Sequence, residues 1–168
     1  VLRWDKPDSK EIRPISLHAD GWRLEHMAEP RPLFYGELLD GYKHGGYEPQ
    51  RVYVVEGEKC CRAIGCDPGL GLLATTSSGG SNAASKSDWS PLAGRDVVLL
   101  PDADAAGRKY ADEVASILLG LDPPAIVRIV DLAPDADDGS DVADLAEPAR
   151  CLGEPVRDHI ERLAAETE

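Results

Sequence analysis

The sequence predicts an α/β domain, built on a mostly parallel four-stranded sheet flanked by helices, with a small β-rich segment leading into it. Three observations carry this expectation. Four apolar, β-branched runs, RVYVV at 51–55, GLLATT at 71–76, DVVLL at 96–100 and AIVRIVDL at 125–132, lie too far apart in the chain for hairpins. The stretches after the first and third runs have helical character, so right-handed crossovers would stack the strands in parallel with helices on the faces. The ends of three of the runs are acidic, which marks the edge of the sheet where ligands bind in such folds.

Taken in order, residues 1–48 form the lead-in: EIRPISLHADGWRLEHM has strand-like fragments around turn signals, and RPLFYGELLDGYKHGG gives a short amphipathic piece and a glycine-rich linker. The core spans 49–148. After the first run, EGEKCCRAIGCDPG is long enough for a short helix that glycine and proline terminate. The Gly/Ser-rich SSGGSNAASKSDWSPLAG at 77–94 is expected to be a flexible surface loop. In GRKYADEVASILLG, Tyr110, Val114, Ile117 and Leu118 make one apolar stripe, with Gly120 as its C-terminal stop. The tail, 149–168, places Val156, Ile160 and Leu163 at helical spacing and is expected to end in a surface helix.

At 168 residues the chain is about one domain long. No run reaches the roughly 18 apolar residues of a membrane span, and a cytoplasmic location is expected. The chain begins VLRWDKPDSK, without methionine or a signal-peptide pattern, and reads as a piece of a longer protein. Its net charge of -13 argues against strong free-standing attraction to a phosphate backbone, so nucleic-acid contacts should be local or lent by other domains. Cys60, Cys61, Cys66 and Cys151 are expected to be reduced. The Cys61 to Cys66 spacing would suit half of a zinc site, but Cys151 and His159 lie too far away to complete it, so small buried side chains are expected instead. Trp4, Trp22 and Trp89 are expected to pack.

The chemistry lies at the strand ends. The first run ends in VVEGEK with Glu56, the third in LLPDAD with Asp102 and Asp104, and the loop after the fourth carries DDGSDVADL with Asp141 and Asp144. A lone D-x-D is an ordinary turn or helix cap. Three acidic clusters at three strand ends would repel one another and raise their own pKa values unless a cation neutralised them. Mg²⁺, with Mn²⁺ as a substitute, fits: it takes oxygen ligands and completes its shell with water and phosphate oxygens.

These residues carry a resemblance. VYVVEGEKCCRAI, GLLATTSSGG, GRDVVLLPDADAAGRKYADEVASIL and DGSDVADLAE together resemble the Toprim domain shared by topoisomerases, primases and several nucleases, over about residues 50–147. The nearest branch is that of the primase-like proteins of phages and mobile elements. The resemblance implies a Toprim (Rossmann-like) fold, Glu56 as general acid or base, and Asp102 and Asp104 as Mg²⁺ ligands. It puts Asp141 at a second cation or in support of the first, and makes Gly57 a turn where the backbone can approach a phosphate. Asp144 reads equally as support for a metal or as a helix cap. Lys59 follows the VEGEK pattern of the branch, whereas Cys60 stands where that branch often has an acidic residue. Lys59, Lys86, Arg108 and Lys109 are candidate phosphate contacts, each weighed against an exposed lysine or arginine on a loop or helix face.

The function implied is Mg²⁺-dependent nucleotidyl or phosphoryl transfer in a DNA primase-like replication protein. Its partners would be a single-stranded DNA template and nucleoside triphosphates, with zinc-binding or helicase domains as neighbours in the full protein. The competing readings are a Toprim nuclease with the same carboxylates and a Toprim fold kept only for docking. A receiver-type signalling domain would put the acidic pair on the first strand and a lone aspartate on the third, the reverse of the order here.

Overall fold

The computed structural model describes residues 2–7, 9–39, 51–64, 73–131, 139–144 and 156–166. The lead-in consists of two antiparallel hairpins, β1 (Leu2–Lys6) with β2 (Ser9–Arg13), and β3 (Ser16–His18) with β4 (Gly21–Arg23). The core sheet contains β5 (Val52–Val55), β6 (Ala74–Thr75), β7 (Asp96–Leu100) and β8 (Ile126–Ile129) in the order β6-β5-β7-β8, every pair parallel. Helix α1 (Glu58–Ile64) follows β5, α2 (Ala105–Leu119) follows β7, and α3 (Val156–Glu166) closes the chain. Each expected strand and helix is present. GLLATT yields only the two residues of β6, and Gly71 and Leu72 lie outside the described residues.

Alternation along the strands builds two cores. Val52, Val54, Val97 and Leu99 face one way, against Tyr110, Val114 and Leu118 of α2. Tyr53, Val55, Val98 and Leu100 face the other way, against Cys60, Cys61 and Ile64 of α1 and Ile160 and Ala164 of α3. Cys60 and Cys61 thus serve as small buried core residues; Cys66 and Cys151 lie outside the described residues. At the amino ends of the strands, Arg51 bonds Asp96 (3.3 Å) and Glu161 (2.7 Å), and Arg128 also bonds Asp96, tying β5, β7, β8 and α3 together. Among the described residues no helix is long and apolar enough to cross a membrane.

Two expectations are corrected. The Gly/Ser segment is not a flexible loop. It contains 3₁₀ turns at Ser81–Lys86 and Ser90–Leu92, and it buries Ala84, Trp89 and Leu92 in the first core, with Ala83 buried as well. Alanine and serine side chains are small enough to let this backbone lie close to α2, and the Trp89 indole donates to the Ala84 carbonyl at 2.8 Å. Of the three tryptophans only Trp89 packs; Trp4 and Trp22 are 45% and 68% exposed, because the two-stranded hairpins that carry them offer no second layer to bury them. The segment after the hairpins joins the core. Phe34 bridges Thr76 through backbone hydrogen bonding, and Leu33 and Leu39 are buried in the first core.

Candidate active site

The strand order reverses between β5 and β7: α1 carries the chain from β5 outward to β6, whereas α2 carries it from β7 outward to β8. The crevice beyond the carboxyl ends of two such neighbours is where ligands bind in open parallel sheets. Val55 lies in register with Leu100, so Glu56 and Asp102 leave adjacent strand tips, with only Pro101 between Leu100 and Asp102.

Asp104 caps α2. Its backbone is extended (φ −150°, ψ 175°) and its Oδ1 accepts from the Gly107 N–H at 2.7 Å, which leaves Oδ2 outside the cap. The helix begins two residues before the GRKYADEV stretch because this cap, and not the glycine, starts it. The chain after β8 returns to the same place. Gly139 N donates to the Ala103 carbonyl (3.1 Å) and Ala103 N to that of Ser140 (2.9 Å), so the loop lies along the DAD turn and delivers Asp141. Asp141 Oδ1 accepts from the backbone of Ala143 (2.8 Å) and Asp144 (3.0 Å), and Asp144 Oδ2 accepts from Asp141 N (3.1 Å). Asp141 and Asp144 therefore cap one another's backbone around the turn at 141–144.

The electrostatics record the crowding. Asp102 is half-buried, and its carboxyl is pushed up to about 7, first by burial and then by the negative charges of Glu56, Asp141 and Asp104. Burial, with Asp141 and Asp102 beside it, likewise pushes the Cys60 thiol up to about 12. One oxygen of Glu56, Oε2, is buried with no hydrogen-bond partner. Lys59 answers part of this charge: its Nζ lies 2.8 Å from Asp141 Oδ2 and 3.6 Å from Asp144 Oδ1. Burial alone would raise the Asp141 carboxyl, but hydrogen bonds from Lys59 and from the backbone of Asp144 and Ala143 outweigh it, so Asp141 lies below the usual carboxylate range.

Of the residues singled out in the sequence, Glu56, Asp102, Asp104 and Asp141 come together, with Lys59 and Asp144 at the margin. Lys59 is exposed in the first turn of α1 and pairs from there with Asp141. An added Cβ on Gly57 would meet nothing within 4 Å, so its surroundings are open. Arg108 and Lys109 lie in the first turn of α2, with Lys109 exposed. Lys86 is exposed, and its charge is felt by His26 of the lead-in. One site residue goes unnoticed in the sequence. Gly107 packs against the backbone of Asp102 so closely that an added Cβ would clash with the Asp102 carbonyl oxygen and come within 2.7 Å of its nitrogen. The signal available was a glycine inside the first turn of a helix, where it costs about 1 kcal/mol against alanine unless packing requires it.

Neither a protein-family model nor a curated protein sequence matches the chain. Among solved structures, a chain from the complex of bacteriophage T7 lagging-strand DNA polymerase with primase domains of two gp4 subunits, bound to an RNA/DNA hybrid and dTTP, has the same fold. The TM-score is 0.50 at 20% identity, over 90% of this chain and 69% of that one.

Proposed function

We propose that this chain is a Toprim-type domain of a primase-like replication protein, catalysing Mg²⁺-dependent nucleotidyl transfer at Glu56, Asp102 and Asp104. The observation that carries the reading is the crowding of these carboxylates, with Asp141, at the point where the strand order reverses. The donor set fits a hard divalent cation: all its ligands are oxygens, Asp102 is short of compensating charge, and Glu56 Oε2 has no partner. Among the described residues no group of three acidic, histidine or cysteine side chains forms a ready-made metal cage. Mg²⁺ does not need one, since it usually takes one or two carboxylates and keeps water and substrate phosphates as its other ligands.

Asp102 and Asp104 Oδ2 would hold the ion, and Asp141 would join them only by releasing Lys59. When bound, Mg²⁺ supplies the positive charge that screens phosphate oxygens and steadies the charge of transfer. The protein's own parts do the rest. The cap from Gly107 fixes Asp104, the close packing of Gly107 fixes Asp102, and the open surroundings of Gly57 leave room for a phosphate. Glu56 takes the proton of the attacking hydroxyl. A Toprim nuclease would use the same carboxylates; the likeness to a chain from a primase-containing complex favours the primase reading. The single-stranded template, the nucleoside triphosphates and any zinc-binding or helicase neighbours belong to the same proposal.

The test is Glu56→Gln, assayed for nucleotide incorporation on single-stranded DNA and for Mg²⁺ affinity by calorimetry. Turnover is expected to fall about 10²- to 10⁴-fold while metal affinity changes little. Retention of near-full activity would move the proton transfer elsewhere.

A further inference from the structure

A second feature lies beside α1. A pocket of about 500 Å³ opens at the seam between the lead-in and the core, within the range of small-molecule sites. Its lining includes four basic residues, His26, Arg31, Lys59 and Arg62, in a chain of net charge -13. Arg31 is the unusual one. Its side chain is only 8% exposed, and among the described residues it pairs with Glu29 (3.2 Å), itself 54% exposed. Its Nε is buried and unpartnered. A guanidinium has five N–H donors, and burying it with Nε unmet and only Nη2 bonded to an exposed carboxylate is costly unless an anion completes the set.

The chain holds this arginine firmly. Arg31 N donates to the Lys86 carbonyl and Asp88 N to the Arg31 carbonyl, both at 2.8 Å. Its Nη1 lies beside Gly79 on the pocket wall, 3.3 Å from where a Cβ would stand, and that glycine has a φ of +115°. Arg62 is oriented too, with its guanidinium 5.8 Å from the centre of the Phe34 ring, another pocket residue. His26 reports the local field: burial first, then the cations Arg31 and Lys86, hold its imidazole below its ordinary pKa. The acidic lining residues are Glu25, which is already paired with His18 (3.2 Å) and Arg23 (3.4 Å), and Glu58 at the start of α1. Ile15, Met27 and Phe34 add an apolar wall.

We infer that this pocket binds the phosphate of a nucleotide, with Arg31 and Arg62 as its anchors and the apolar wall against the sugar and base. Lys59, which lines the pocket and pairs with Asp141, makes it continuous with the acidic site. The inference deepens the proposed function by adding a substrate-phosphate site that needs no metal. Its test is therefore separable from that of the carboxylates.

The experiment is calorimetric titration of the protein in EDTA with thymidine 5′-monophosphate and, separately, with a short thymidine oligonucleotide, for wild type, Arg62→Gln and Arg31→Gln. Charge-assisted hydrogen bonds to phosphate are strong enough that each substitution should weaken binding about tenfold. Arg62 is exposed, so its variant keeps the test valid even if Arg31→Gln fails to fold. Equal dependence on both arginines for both probes assigns the site to any nucleotide phosphate; tighter oligonucleotide binding with the same dependence assigns it to a strand. Absence of wild-type binding to either probe at millimolar concentration overturns the inference, as does wild-type affinity in both variants. A parallel Mg²⁺ titration separates the two readings: Arg62→Gln should leave metal affinity unchanged, whereas Asp102→Asn should lower it.

Discussion

Asp102→Asn should make the metal-free protein more stable at alkaline pH. In the folded chain the Asp102 carboxyl is pushed up to about 7, mainly by burial and secondarily by Glu56, Asp141 and Asp104. In the unfolded chain it should titrate near its ordinary value of about 3.9. At about 1.36 kcal/mol for each tenfold in acidity, full ionisation would cost the fold at most about 4 kcal/mol. The group is half-exposed, so solvent screening reduces this to about 1–2 kcal/mol. The sign follows from the raised value. The folded state holds its proton more tightly, so the group does not penalise folding below about pH 4, and stability is lost as pH rises through about 7. Asparagine cannot ionise and escapes that loss. For a chain of this length the gain corresponds to a melting temperature about 2–8 °C higher. The assay is thermal unfolding of wild type and variant in EDTA at pH 8 and again near pH 4, with a third series in Mg²⁺ at pH 8. The difference should be present at pH 8, close to zero near pH 4, and reduced or reversed by Mg²⁺. A variant no more stable than wild type at pH 8 in EDTA would refute the claim that Asp102 sits in uncompensated negative surroundings.

Gly107→Ala should act in the opposite direction. Overpacking against the Asp102 backbone costs about 1–3 kcal/mol, of which alanine's better helix propensity returns about 1. Because the clash is with the turn that positions Asp102, Mg²⁺ affinity should fall along with stability, and chemical denaturation beside metal titration would detect both. The isolated 168-residue chain, with its net charge of -13, should bind single-stranded DNA no tighter than the roughly 10⁻⁴ to 10⁻⁶ M of non-specific association, strengthened by Mg²⁺. Fluorescence anisotropy across a salt series checks this; submicromolar binding that survives EDTA would show a template surface of its own.

The sheet was legible because β5, β7 and β8 are β-branched runs, buried well enough in β5 and β7 that little else can be made of VYVV and DVVLL. The acidic site was legible for a related reason: carboxylates at the tips of such strands have few places to go. The interactions that hold the site in shape were not. Lys59 and Asp141 are 82 residues apart, and their pairing depends on how the loop after β8 lies along the DAD turn, which local pattern does not encode. The Gly/Ser segment misled because its composition matches that of a loop, whereas Ala84 and Trp89 are buried in a core shared with strands, the lead-in and a helix that comes later in the chain. Arg31 gave no local signal at all, since what distinguishes it is burial beneath a strand-like contact with residues 86–88.

Whether Mg²⁺ binds at Asp102 is read from a proton count during metal binding, by calorimetric titration in buffers of different ionisation enthalpy. If the cation binds at Asp102, it must displace the proton that a carboxyl titrating at about 7 carries. Most of a proton should be released per ion at pH 6 and much less at pH 8, with the release abolished and affinity lowered in Asp102→Asn. Equal Mg²⁺ affinity in wild type and Asp102→Asn, with the same proton count at both pH values, would contradict it.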